Sequence, residues 1–243
     1  MVTKNQIKII TDLHQKRHRL IHNMFIAEGQ KCISELLQSH FELVYLLETE
    51  SVFDQISFSE KYLVSANDLK KMSALTNANN CLAVFKIPES KKIIASGLIV
   101  ALDNISDPGN LGTIIRLCDW FGITDLVCSK TTVDLYNPKV VQATMGSLAR
   151  TNVSYLDLET FLDKTKMPIF GTFMDGTDVY QTTLPSSAIL LMGSEANGIS
   201  DKLQKKITQR ISIPRFGDLQ NTESLNVATA TAIFLSEFKR IAL

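Results

Sequence analysis

Ala101 to Ile123, ALDNISDPGNLGTIIRLCDWFGI, joins an apolar strand to an apolar helix through a polar corner. Upstream, Ile93 to Leu102 contains an apolar run with β-branched residues, the pattern of a strand covered on both faces of a parallel sheet. Downstream, Thr113 to Phe121 reads as a helix. The loop from Asp103 to Gly112 between them carries Gly109 and Gly112, which permit unusual backbone angles and close ligand approach. The same grammar recurs twice. Ala188 to Met192 is an apolar strand running into Gly193-Ser194-Glu195-Ala196-Asn197-Gly198. Arg210 to Ile213 is a strand whose polar sequel ends in Glu223-Ser224-Leu225-Asn226-Val227, at the head of a closing helix from Asn226 to Ile241. In open parallel sheets ligands bind outside the carboxyl ends of the strands. Three polar corners at such ends are therefore expected to converge.

The other segments complete the pattern. Asp125 to Cys128 and Pro168 to Phe173 read as strands, and Pro138 to Leu148 and Asp201 to Lys206 as helices. Strands alternating with helices imply an α/β domain with a mostly parallel sheet. Before it lies a smaller α/β unit. Its helices are Lys4 to Leu13, Gln30 to Leu37 and Ala66 to Leu75; Met24 to Ala27 is a short apolar stretch, and its strands are Phe41 to Glu48, Tyr62 to Val64 and Cys81 to Phe85. The polar linker Lys86 to Lys92, with Pro88, sets a boundary between domains 1–90 and 91–243. No internal repeat or low-complexity tract is present.

Composition narrows the class. The chain has 243 residues, 45% of them hydrophobic, enough for a substantial core. No apolar run reaches the ~20 residues that span a bilayer, and the N-terminus lacks the apolar core of a secretion signal. Cys32, Cys81, Cys118 and Cys128 are widely spaced, which reads as reduced, buried thiols and a cytoplasmic location. The 25 basic and 25 acidic residues cancel, which argues against a protein held on nucleic acid by bulk charge. A local basic patch is compatible with this balance. Lys16-Arg17-His18-Arg19, with Lys4 and Lys8 upstream, is one, although a solvated face accounts for it equally well. His14, His18 and His22 recur every four residues, but His18 and His22 are read as lying past the first helix and no Cys or carboxylate accompanies them. No metal site is expected.

Each corner also has a bland reading. Arg116 sits one turn into an otherwise apolar segment and needs a partner, either a structural carboxylate or an anionic or polar substrate. Glu195 could be a carboxylate at a helix N-terminus, and Ser224 and Asn226 an N-cap. The first corner lacks the GxGxxG fingerprint and the GxxxxGK[ST] loop, which removes a dinucleotide oxidoreductase. The second is not a nucleophile elbow, and no His follows His40, which removes a Ser-His-Asp hydrolase. The closing-helix stripe of Val227, Thr231, Phe234, Leu235 and Phe238 reads as core or dimer surface.

In order and spacing, the three segments closely resemble the three motifs of the TrmH (SpoU) family of RNA ribose 2′-O-methyltransferases, in the knotted SPOUT superfamily. ALDNISDPGNLGTIIRLCDWFGI is similar to motif one, ILLMGSEANGIS to motif two, and ISIPRFGDLQNTESLNVATATAIFLSEF to motif three. Arg19 and Phe25-Ile26-Ala27-Glu28-Gly29 resemble the family's small L30e-like substrate-binding domain. The resemblance implies a deep trefoil knot in the C-terminal segment, a homodimer that completes the site near its interface, and S-adenosylmethionine bound largely by backbone. By motif position the cofactor contacts are Gly193, Ile213 and Leu225, with Thr172, Leu191, Met192 and Gly198 as neighbours. It assigns Arg116 to the ribose 2′-hydroxyl of rRNA or tRNA, as base or as the group that positions the hydroxyl and an adjacent phosphate. Asn110, Glu195, Ser224 and Asn226 would fix Arg116 and the ribose. Two departures stand out: Ala196 replaces a common Gly, and the loop between Pro214 and Ser224 is longer than in many relatives. A non-catalytic RNA-binding protein that keeps the knot as a scaffold is the alternative, although it would not need all five polar residues.

Overall fold

The computed structural model describes residues 2–94, 96–217 and 224–240. Glu223, most of the loop before Ser224, and Ile241 lie outside them. The chain divides into two compact units, Met1–Ser90 with Asp134–Ala149, and Lys91–Val133 with Arg150–Leu243.

The first unit begins with α1 (Lys4–Asp12), where the Thr3 hydroxyl accepts the Gln6 N–H and the Gln6 side chain answers the Thr3 N–H. Next come α2 (Lys16–His22), β1 (Met24–Glu28), α3 (Gln30–Leu37), β2 (Leu43–Glu48), β3 (Lys61–Leu63), α4 (Ala66–Met72) and β4 (Cys81–Lys86). The strands form a four-stranded sheet ordered β1-β4-β2-β3. His18 and His22 lie past the first helix, as read, but within a second helix, α2. The helix ends where Asn23 turns left-handed at φ 52° and donates its N–H to the Arg19 carbonyl.

The second unit runs through β5 (Leu98–Leu102), α5 (Pro108–Trp120) and β6 (Asp125–Ser129). The chain then returns to the first unit with α6 (Pro138–Thr144), a segment that sequence reading left in the C-terminal domain. The reason is packing within that unit. Buried Arg19 donates two hydrogen bonds to Asp134, at 3.0 and 2.6 Å, and two more to the Leu13 and His14 carbonyls. Tyr136 packs on Phe25, with ring centroids 4.7 Å apart. Nor does α6 continue to Leu148: Met145 turns left-handed and a 3₁₀ turn follows over Ser147–Ala149.

The second unit resumes with β7 (Asn152–Leu156), α7 (Leu158–Lys164), β8 (Ile169–Asp178), β9 (Ala188–Met192), α8 (Asp201–Gln204), β10 (Gln209–Ser212) and α9 (Val227–Arg240). Among the described residues its sheet has six strands, ordered β10-β8-β9-β5-β6-β7, and every pairing is parallel. All residues of β5 and β9 are buried, as their unbroken apolar runs imply. One face packs Ile99, Ala101, Ile189 and Leu191 against Leu158, Leu162 and Leu203 of α7 and α8. On the other face Phe170 meets Phe238 of α9 edge-on at 5.4 Å. Among the described residues no helix is long and apolar enough to cross a membrane.

The first corner differs from its reading. Helix α5 begins at Pro108 rather than Thr113, because Asp107 caps it by accepting the Asn110 N–H at 2.8 Å and proline suits the first helical position. Gly109 and Gly112 are therefore helical, without positive φ. Gly198 in the second corner does need it, at φ 63°.

Candidate active site

The carboxyl ends of β5 and β9 are held together by backbone and by one buried carboxylate. The Asp103 N–H donates to the Met192 carbonyl at 2.9 Å, and Asp103 Oδ2 accepts the Ser200 N–H at 2.8 Å. Asp103 was not among the sequence-derived site residues; a carboxylate directly after an all-apolar strand was its only signal. Beyond β9 the chain closes a tight turn. Ser194 and Gly198 exchange backbone hydrogen bonds, at 3.1 and 2.8 Å, and the Ser194 hydroxyl accepts the Asn197 N–H. Glu195 is exposed at the tip of this turn rather than at a helix N-terminus.

The three corners meet through side chains. Asn226 donates from Nδ2 to Asn110 Oδ1 at 2.9 Å, and Asn110 in turn donates to Glu195. One residue from each corner thus joins a single chain across 116 positions of sequence. Asn226 also caps α9, its Oδ1 accepting the Ala228 and Thr229 N–H groups at 3.0 and 3.2 Å. The capping reading and the site reading of Asn226 therefore both hold geometrically. Asn226→Asp separates them: a carboxylate still caps the helix but cannot donate to Asn110. Stability is expected to stay within ~0.5 kcal/mol while activity falls at least tenfold, checked by thermal melting beside a turnover assay.

A cavity of about 920 Å³ opens beside this chain, within the size range of small-molecule sites. Six of the seven expected cofactor residues line it: Thr172, Met192, Gly193, Gly198, Ile213 and Leu225, as do Glu195 and Ser224. Leu191 does not. It is fully buried in the core, and only its carbonyl reaches toward the site, accepting Thr172 Oγ1 at 3.3 Å. Sequence reading missed Phe173, Met174 and Gln204; Val227 and Phe234, read as core or dimer surface, are buried in the core and also line the cavity. Phe173 is held by the Arg210 guanidinium, 3.5 Å above its ring, and Arg210 is anchored by Asp175 at 2.6 Å. The apolar walls suit a flat heterocycle, and the carboxylate at the rim suits a cation.

Arg116 stands apart. It is exposed on α5, six positions after Asn110 and so about 120° around the helix from it. Among the described residues no hydrogen bond or ion pair holds its guanidinium, so Asn110, Glu195, Ser224 and Asn226 do not fix it within one chain.

An all-parallel α/β unit with an open, largely apolar cavity and a polar chain at the strand ends is the arrangement of a small-molecule-binding α/β protein. The sequence matches the SpoU rRNA Methylase family over residues 97–236 and the MRM3-like substrate binding domain over residues 4–83. The chain belongs to the SpoU methylase family. It is 30% identical to the 23S rRNA (guanosine(2553)-2′-O)-methyltransferase RlmP of Bacillus subtilis, over 96% of this chain and 95% of that one. A TrmH-family protein from Porphyromonas gingivalis superposes with a TM-score of 0.89 at 37% identity, covering 99% of both chains. An rRNA methyltransferase from Sinorhizobium meliloti, solved with AdoMet bound, superposes with a TM-score of 0.87 at 28% identity, over 100% of this chain and 97% of that one.

Proposed function

We propose that the protein is an S-adenosylmethionine-dependent methyltransferase that modifies a ribose 2′-hydroxyl of rRNA or tRNA. The observation that carries this reading is the Asn226–Asn110–Glu195 chain, one end of which lines the cavity. Family membership and the AdoMet-bound relative support the cofactor. The cavity residues suit it: Met192, Ile213, Leu225 and Phe234 can pack against the adenosine, and the Glu195 carboxylate, which also lines the cavity, would attract its sulfonium.

When bound, S-adenosylmethionine supplies an electrophilic methyl group on a sulfonium. The protein's part is then to hold a weak nucleophile in line. Ser224 and the amide pair Asn110 and Asn226 orient the ribose through hydrogen bonds, and Glu195 fixes Asn110. Arg116 would place the 2′-hydroxyl and its neighbouring phosphate through its guanidinium. It could take the hydroxyl proton only if the assembled site first deprotonates that guanidinium, since a free arginine is protonated throughout the ordinary pH range. The unit built from residues 91–133 and 150–243 is the methyltransferase domain, and the unit built from residues 1–90 and 134–149 is the RNA substrate-binding domain. The C-terminal segment forms the trefoil knot that the family resemblance implies. The enzyme works in the cytoplasm as a homodimer, and the exposed Arg116 is the group that a second copy would bring into register with the site.

Mapping 2′-O-methylation in total RNA from cells with and without the gene tests this. Loss of a specific ribose methyl on deletion, restored by the wild-type gene, is the expected result. An unchanged methylation map would favour the RNA-binding scaffold.

A further inference from the structure

In a chain of zero net charge, Lys4 to Asn23 holds five basic side chains and one acid. The structure sorts these residues. Arg19 is 3% exposed and committed to Asp134 and two backbone carbonyls, so it is an internal strut. The opposite side of α2 is different. At about 100° per residue, Lys16, Leu20, Arg17 and Ile21 follow one another around an arc of about 140°. All four are exposed, Leu20 by 68% and Ile21 by 63%. Among the described residues no ion pair engages Lys16 or Arg17. Cations thus alternate with branched aliphatics on one helix face.

Two exposed aliphatics beside two unpaired cations exceed what solvation needs, and an apolar protein partner would leave Arg17 between the aliphatics and Lys16 beside them unpaired. We infer that this face of α2 is the docking surface for an RNA strand, with Lys16 and Arg17 on phosphates and Leu20 and Ile21 against unstacked bases. Charge complementarity selects the occupant: phosphates take the cations. Single-stranded loops offer base faces that apolar side chains can cover, as aliphatic wedges do between base steps. The inference rests on the methyltransferase reading and names the surface by which that substrate is held.

The test uses the full-length protein and total RNA from cells lacking the gene, with binding measured across salt concentrations. Lys16→Glu/Arg17→Glu is expected to weaken RNA binding at least tenfold and to flatten the log–log salt dependence by about two, one for each phosphate contact. Leu20→Ser/Ile21→Ser is expected to weaken binding several-fold with an unchanged salt slope. Both variants should keep the wild-type melting temperature and S-adenosylmethionine affinity. Wild-type RNA affinity in both would overturn the inference while leaving the methyltransferase reading intact. So would a change of oligomeric state in sedimentation, which would make the face a contact between copies. A wild-type protein that binds no RNA would overturn the underlying reading and this one with it.

Discussion

Arg116→Ala is expected to lose about 10²- to 10⁴-fold in methyl transfer, the contribution of a positioned acid–base group, while S-adenosylmethionine affinity stays within twofold. The exposure of Arg116 makes this clean. Its side chain has no described partner and does not line the cavity, so its removal should change stability by less than ~0.5 kcal/mol. A loss of turnover then belongs to the reaction and not to the fold. Arg116→Lys tells more. Lysine keeps the charge but loses the planar fork that grips a phosphate or hydroxyl by two bonds. If Arg116 acts chiefly as a cation beside the phosphate, the lysine variant should recover at least tenfold over alanine. If the fork itself places the hydroxyl, lysine should be as poor as alanine. Single-turnover rates with saturating cofactor, together with calorimetric cofactor binding, measure both. Turnover of Arg116→Ala within threefold of wild type would remove Arg116 from the reaction.

What was legible in the sequence follows from which forces leave a linear trace. Strands β5 and β9 were readable because a strand buried on both faces must be apolar at every position. Helix α2 was not, because its one fully buried side chain is Arg19, so hydrophobic periodicity has nothing to register. Strand β7 was missed for a related reason: NVSYL lies at the sheet edge with no residue fully buried. The early start of α5 had a signal, the Asp107-Pro108 pair, which the glycines that follow obscured. At the site, the Asn226–Asn110 contact joins residues that no local spacing relates. The strand-end rule brought the three corners together, and the resemblance of three motifs picked out these residues within them. Leu191 shows the limit of such transfer. Side chains alternate along a strand, so Met192 faces the cavity while Leu191, one residue earlier, points into the core against α7 and α8. The Leu191 backbone still meets the site, since its carbonyl accepts Thr172 Oγ1.

Gly193→Ala is expected to abolish measurable S-adenosylmethionine binding and to destabilise the second unit by about 1–3 kcal/mol or more, the usual cost of forced overpacking. A methyl group at 193 would lie 2.5 Å from the Gly198 carbonyl oxygen, and closer still to the Gly198 carbonyl carbon and the Ile199 amide nitrogen. These are backbone atoms, so no rotamer change relieves the clash. Nor can the turn easily swing away. Gly198 is pinned to Ser194 by two backbone hydrogen bonds, Ile199 is 2% exposed in the core, and the Ser200 N–H is tied to Asp103. Any shift must break one of these, and Gly193 and Gly198 both line the cavity. Gly198→Ala is the control. Nothing lies within 4 Å of a methyl group there, but φ is +63°, so only the backbone penalty of ~1–2 kcal/mol for a left-handed non-glycine residue applies. Denaturant unfolding and calorimetry should therefore rank Gly193→Ala as the greater loss in cofactor affinity, with Gly198→Ala retaining detectable binding. The reverse order, or wild-type cofactor affinity in Gly193→Ala, would mean that the turn is free to move and that its closure does not shape the pocket.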